Sequence, residues 1–237
     1  MELERGVEAI GARLDPRITY PCYKSFDELI DVERLRSLDE YIAGRVRLHA
    51  RKDQHDYFLN EHRLDTGSPH KPGVREIWLS RTKPGVPYDY FDLDKPELWQ
   101  RTEAAEEFAL LMDFIETLPF KVIGRMLIIY DDAGNAVPAH RDHLNFEICH
   151  NFVWFRTSLR KPFYVLNNET NEKRYVKSYS AWFDTVKQFH GTDISPGLSF
   201  SVRVDGVFTD ELHKQIPVLR WNNACRPALW SCTSAPS

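Results

Sequence analysis

The chain has 237 residues, a formal charge of −4 and 42% hydrophobic side chains, enough for one sizeable core. A mildly acidic surface has no general attraction to nucleic acid or to an anionic membrane. No apolar run reaches the roughly 18–20 residues of a membrane span, and Met-Glu-Leu-Glu-Arg has no signal-peptide character, so a cytoplasmic protein with neither nucleic-acid nor membrane partners is expected.

Apolar residues at Leu29, Ile30, Val32, Leu35, Leu38, Tyr41 and Ile42 recur every three or four positions. That spacing predicts an amphipathic helix over 27–45, with Ser25 as its N-cap. Residues 52–95 shift to polar, Pro- and Gly-bearing sequence interleaved with Tyr57, Phe58, Trp78, Tyr88, Tyr90 and Phe91. Long loops folded as a lid are predicted there, with one short strand over 75–79. A second helix is predicted over 96–118, burying Leu98, Phe108, Leu110, Leu111, Phe114 and Ile115 and ended by Pro119.

From Phe120 the texture changes to short β-branched and aromatic runs at 121–130, 137–140, 151–156, 163–166, 174–176, 181–183 and 198–204. Turn chemistry separates them at 131–135, 167–171 and Pro196-Gly197. Helices in front and strands behind make an α+β chain with a mainly β core, an antiparallel sandwich or barrel. A single catalytic domain is expected: a helical and lid region (1–119), the β core (120–207) and a C-terminal segment (208–237). Four cysteines, at 22, 149, 225 and 232, form no C-x-x-C pair, which argues against both a disulfide scaffold and a thiolate metal site.

Of nine histidines, those at 49, 55, 62, 70 and 213 read as structural or surface groups. The segment Val137-Pro-Ala-His-Arg-Asp-His143 is different. On a strand, residues i and i+2 share a face, so His140 and Asp142 can point at one ion. An imidazole and a carboxylate supply two members of a 2-His-1-carboxylate set, which leaves open positions on iron(II). His190, in Gln188-Phe-His-Gly-Thr192 at the mouth of a predicted strand, is the expected third ligand. Arg203, in the strand-like run Phe200-Ser-Val-Arg-Val-Asp-Gly206, could hold a dicarboxylate co-substrate through a two-point salt bridge.

His140-Arg-Asp142, then His190, then Arg203 resembles the H-x-D…H…R pattern of the iron(II)/2-oxoglutarate-dependent oxygenases over residues 120–207. The resemblance implies a double-stranded β-helix (jelly-roll, cupin-like) with flanking N-terminal helices. It also implies Fe(II), 2-oxoglutarate and O2 as cofactor and co-substrates, with succinate and CO2 as co-products. Residues 153–163, 180–183 and 202–206 are further similar to a bacterial branch acting on free amino acids, the lysine-type radical halogenases and their hydroxylating relatives. The halogenating members carry a small residue where this chain has Asp142, so the resemblance implies a hydroxylase of a small-molecule amino acid, with lysine the first candidate.

Arg75 is a candidate for the substrate carboxylate, Asp205 or Glu147 for its amine, and Trp221 for closing the pocket. Arg156 or Arg160 could supplement Arg203, while packing roles suit Trp182 and Phe183 better. Ligand roles for His143 and His150 are less favoured than second-sphere or buried ones. Two other readings stay open: a cupin-like metal enzyme that needs no 2-oxoglutarate, and a non-catalytic jelly-roll binding module. Nothing in the sequence fixes the oligomeric state.

Overall fold

A computed structural model describes residues 23–51, 75–86, 95–131, 134–142, 151–167, 170–183, 185 and 188–215. The described residues begin with β1 (Lys24–Ser25), α1 (Val32–Ser37) and α2 (Asp39–Arg51). The predicted first helix is therefore two, and Ser25 is not its cap. Asp31 caps α1 by accepting from the backbone N–H of Arg34 at 2.9 Å, which satisfies a donor the first turn leaves orphaned. Ser25 instead lies in β1 and accepts from the N–H of Asp27. Of the apolar stripe, Leu35, Leu38 and Ile42 are buried, as is Val46 one turn on, whereas Leu29 is exposed.

The predicted second helix is also divided. It becomes a 3-10 turn (Pro96–Leu98), β3 (Trp99–Arg101), α3 (Glu103–Glu107) and α4 (Ala109–Ile115). Sheet pairing overrides helix propensity at its front. Trp99 to Arg101 pair with Thr82 to Ser80, and the Thr102 hydroxyl donates to the carbonyl of Trp78 at 2.6 Å. Leu111, Phe114 and Ile115 are buried as expected, whereas Leu110 is exposed on the far side of α4.

The strand expected in the lid is β2 (Arg75–Thr82), and it is no part of a lid: it lies between β3 and β4 with its four central residues buried. Both of its faces are covered, so its sequence lacks the alternation that marks a half-exposed strand. Residues 52–74 and 87–94, the rest of the proposed lid, lie outside the described residues.

The core strands are β4 (Phe120–Asp131), β5 (Val137–His140), β6 (Phe152–Phe155), β7 (Phe163–Leu166), β8 (Lys173–Tyr175), β9 (Ser180–Trp182), β10 (His190–Thr192) and β11 (Ser199–Phe208); α5 (Asp210–Gln215) follows. One antiparallel sheet has the order β1-β9-β6-β11-β4-β2-β3 and the other β5-β10-β7-β8. From β4 to β11 the chain passes back and forth between the two sheets, the winding of a double-stranded β-helix. The sheets face each other through aromatic contacts, such as Trp154 to Phe163 with ring centroids 4.5 Å apart.

The larger sheet buries both faces, and strand alternation keeps them chemically distinct. Met126, Ile128, Tyr130, Val202 and Val204 belong to an apolar cluster with Leu35, Ile42, Leu111 and Phe114 from the helices, and the Phe114 and Phe155 rings pack edge-on at 5.4 Å. The other face points into the barrel. Arg203 lies there in register with Leu127 and Trp154.

Candidate metal centre

The site forms where β5 ends and β10 begins. His140 and His190 are directly opposite in the antiparallel register, with ring centroids 4.5 Å apart. Opposed residues of an antiparallel pair share a face, so both imidazoles enter the barrel together. Asp142, two residues beyond His140, is held by its backbone N–H donating to the carbonyl of Thr185 at 3.0 Å. Its Oδ1 lies 3.7 Å from His140 Nε2 and 3.4 Å from His190 Nε2. A ligand atom from each of the three residues lies within 4.8 Å of the other two.

The far sides of the rings are fixed by backbone. His140 Nδ1 donates to the carbonyl of Pro138 at 2.9 Å and His190 Nδ1 to that of Gln188 at 3.3 Å. A carbonyl can only accept, so each Nδ1 carries the proton and each Nε2 keeps its lone pair for a metal. Gly191 permits the close strand spacing: a Cβ there would lie 2.5 Å from the Val137 carbonyl oxygen and 2.6 Å from the Tyr164 hydroxyl. Two imidazole nitrogens and one carboxylate oxygen, converging at one end of the barrel, fit iron(II) held on one face with positions left open.

Behind Asp142 lies a chain of buried charges. Arg203 donates from Nη1 to Asp142 Oδ2 at 2.7 Å and from Nε to Asp205 Oδ1 at 3.0 Å. Its Nη2 sits 2.9 Å from Asp205 Oδ1 as an ion pair, without the alignment of a hydrogen bond. The guanidinium lies over the Phe152 ring at 4.2 Å. Burial works against its charged form, but the carboxylates of Asp205 and Asp142 outweigh that, and its pKa stands above the usual arginine value. Asp205, 0% exposed, also accepts from Arg125 Nε at 2.8 Å. Arg125 in turn lies 5.9 Å from the centroid of Trp78, whose indole N–H donates to Glu76.

The other sequence candidates fall elsewhere. Arg75 begins β2 opposite Tyr130. By alternation it shares the helix-side face with Ile77, opposite to Trp78, and so does not face the triad. Asp205, the candidate for a substrate amine, has its carboxylate engaged by two guanidiniums. Glu147, Trp221, His143 and His150 lie outside the described residues. Arg156 has a packing role: it donates to the carbonyls of Ser178, Lys161 and Val176, and burial lowers its pKa to about 10, partly offset by Asp27. Arg160 is exposed and pairs with Asp39 at 2.9 Å. Trp182 and Phe183 are core, with Phe183 packed 5.1 Å from the His190 ring. His49 is buried 3.1 Å from Glu107, a structural role.

Arg125 is the residue that sequence reading passes over. It sits in a β4 run, Val-Ile-Gly-Arg-Met-Leu-Ile-Ile, that is otherwise almost wholly apolar. A lone cation in such a strand signals a buried partner.

No family model matches the chain, and no curated protein matches it significantly. Among solved structures it is similar to a prolyl-4-hydroxylase of Pseudomonas putida at 9% identity, over 81% of this chain and 95% of that one, with a TM-score of 0.45. A prolyl hydroxylase of Trichoplax adhaerens, solved in complex with a hypoxia-inducible-factor oxygen-degradation-domain peptide fragment, is similar at 8% identity over 90% and 94%, with a TM-score of 0.42. A 2OG-Fe(II) oxygenase family oxidoreductase of Burkholderia pseudomallei is similar at 12% over 62% and 76%, with a TM-score of 0.37. At such identities and scores the chemistry of this chain has to be argued from its own residues.

Proposed function

We propose that this chain is an iron(II)- and 2-oxoglutarate-dependent oxygenase that hydroxylates a free amino acid, with lysine the first substrate to test. The observation that carries the reading is the convergence of His140 Nε2, His190 Nε2 and Asp142 Oδ1 at one end of the barrel, beside the buried cation of Arg203. His140, Asp142 and His190 would hold the metal, which supplies dioxygen activation coupled to oxidative decarboxylation of 2-oxoglutarate.

The protein's own part is to bind, orient and exclude water. The backbone carbonyls of Pro138 and Gln188 aim the imidazoles. Phe152, against the Arg203 guanidinium, and Phe183, against the His190 ring, give the inner end of the site apolar walls. Arg203, the proposed anchor for the distal carboxylate of 2-oxoglutarate, keeps its charge because its neighbours are anionic. Asp142 offers an oxygen to the metal position, which supports oxygen rather than halide transfer. With Arg75 on the other face of the sheet, Glu147 and Trp221 remain proposed contacts for the substrate.

The engagement of Arg203 by Asp142 and Asp205 favours one competing reading, a cupin-like metal enzyme in which Arg203 is structural. One experiment separates the two. Protein purified without oxygen should hold one iron per chain, and succinate should form from 2-oxoglutarate only when a suitable free amino acid is added, with one oxygen from dioxygen entering the product. Turnover of the amino acid without 2-oxoglutarate would favour the competing reading. Absence of any stoichiometric metal would reject both.

A further inference from the structure

Resting on the metal reading above, we infer that Arg125 and Asp205 are positioning residues for the metal ligand Asp142, acting through Arg203. Four buried or partly buried groups of alternating sign form one chain, Arg125–Asp205–Arg203–Asp142, with contacts of 2.8, 2.9 and 2.7 Å. It runs from β4 to β11 and ends on the carboxylate beside the two imidazoles.

The division of labour at Asp142 follows from that chain. Oδ2 is taken by the Arg203 guanidinium, while Oδ1 faces both His Nε2 atoms. Arg203 thereby presents Asp142 to a metal through one oxygen, leaving the coordination position a second oxygen would occupy. Arg203 can do this only if its own plane is fixed. Asp205 fixes it from one side through Nε and Nη2, and the Phe152 ring lies against its face. Asp205 is in turn held between Arg203 and Arg125 with no exposure to water. A buried charge stripped of its partner is strongly unfavourable, so each member constrains the next. Without the Asp205 charge, the two guanidiniums would lose the anion they share.

Arg125 enters this chain through Asp205, two links before Asp142, which makes it the informative position to change. Cobalt(II) is a suitable probe, because its affinity is measurable without turnover and its visible d–d spectrum reports coordination geometry. The full chain should bind one cobalt(II). Arg125→Gln and Asp205→Asn should still bind one, with affinity reduced about 10- to 100-fold, the range usual for residues that orient metal ligands, and with a changed d–d spectrum. Arg125→Lys, which restores the charge, should recover most of the affinity and the original spectrum.

Wild-type affinity and spectrum in Arg125→Gln would overturn the inference, even if its melting temperature fell, because the role would then be purely structural. Should Asp205→Asn fail to fold, Arg125→Gln and Arg125→Lys decide the matter alone. Failure of the unmodified chain to bind cobalt(II) would instead reject the metal site itself.

Discussion

The two faces of the larger sheet are made by the same strands, yet the barrel face sets buried charges among its aromatics where the helix face of β4 and β11 is apolar. On β4 and β11 the residues Met126, Ile128, Val202 and Val204 face the helices and are wholly apolar, while Arg125, Arg203 and Asp205 face the barrel. The first set stabilises by removing apolar surface from water. The second confines charge where water is scarce and gains stability only through exact pairing of opposite signs. A step of one residue along either strand crosses from one regime to the other. Substitutions on the helix face should therefore change stability and spare the site, whereas substitutions on the barrel face should disturb the site as well as stability.

The sharpest break of that contrast is His190→Ala. Removing one of three proposed ligands should abolish stoichiometric iron and all turnover while the chain still folds, as metal analysis and circular dichroism would show. On the helix side, Phe114→Ala should cost about 3–5 kcal/mol in chemical denaturation, with cobalt affinity per folded molecule unchanged. Altered affinity there would mean the two faces are coupled. Arg203→Ala should weaken 2-oxoglutarate by about 2–5 kcal/mol, the scale for breaking a buried charged contact; calorimetry on the metal-loaded protein reads this, and unchanged binding would move the anchor elsewhere.

Smaller effects test regions remote from both faces. Asp31→Ala removes the cap of α1 and should cost about 1 kcal/mol, read as a lower denaturation midpoint with the metal site untouched. Asp193 accepts from Lys173 Nζ at 2.6 Å and from the Tyr175 hydroxyl at 2.7 Å. Burial pushes its pKa up, but these two bonds outweigh it and the folded value lies below the ordinary 3.8. The stability this group contributes is therefore full above the ordinary value and is lost as pH falls through the lower folded one. Asp193→Asn should lower the melting temperature slightly at neutral pH and leave the acid end nearly unchanged, so that the acid side of the profile flattens.

Much of this was readable from residues alone, for reasons that also explain the failures. The core strands were legible because β-branched runs and Gly, Asn and Asp turns are local signals, and β4, β5 and β7 fall within a residue of expectation at each end. The triad was legible from the His140-x-Asp142 spacing, although β5 ends at His140 and Asp142 reaches the site from the bend beyond it, held by the Thr185 carbonyl and not by a shared strand face. Arg75 was not, since no local signal says which face of a doubly covered strand meets the barrel; one step along β2 would have pointed it inward. The helix expected over 96–118 failed because Trp99 to Arg101 are claimed by β2, a partner some twenty residues away. Arg125 was missed because its meaning depends on Asp205, eighty residues on.

The hydrogen atom that serves as the side chain of Gly191 sets the tolerance of the whole site. Any larger group there would drive β10 and β5 apart by about half an ångström merely to clear the Val137 carbonyl. Metal-to-ligand distances are exacting to about ±0.2 Å, so the displacement would exceed what a bond can absorb. One methyl group, placed on a residue that touches no metal, would convert a chelating pair of histidines into two histidines that happen to be neighbours.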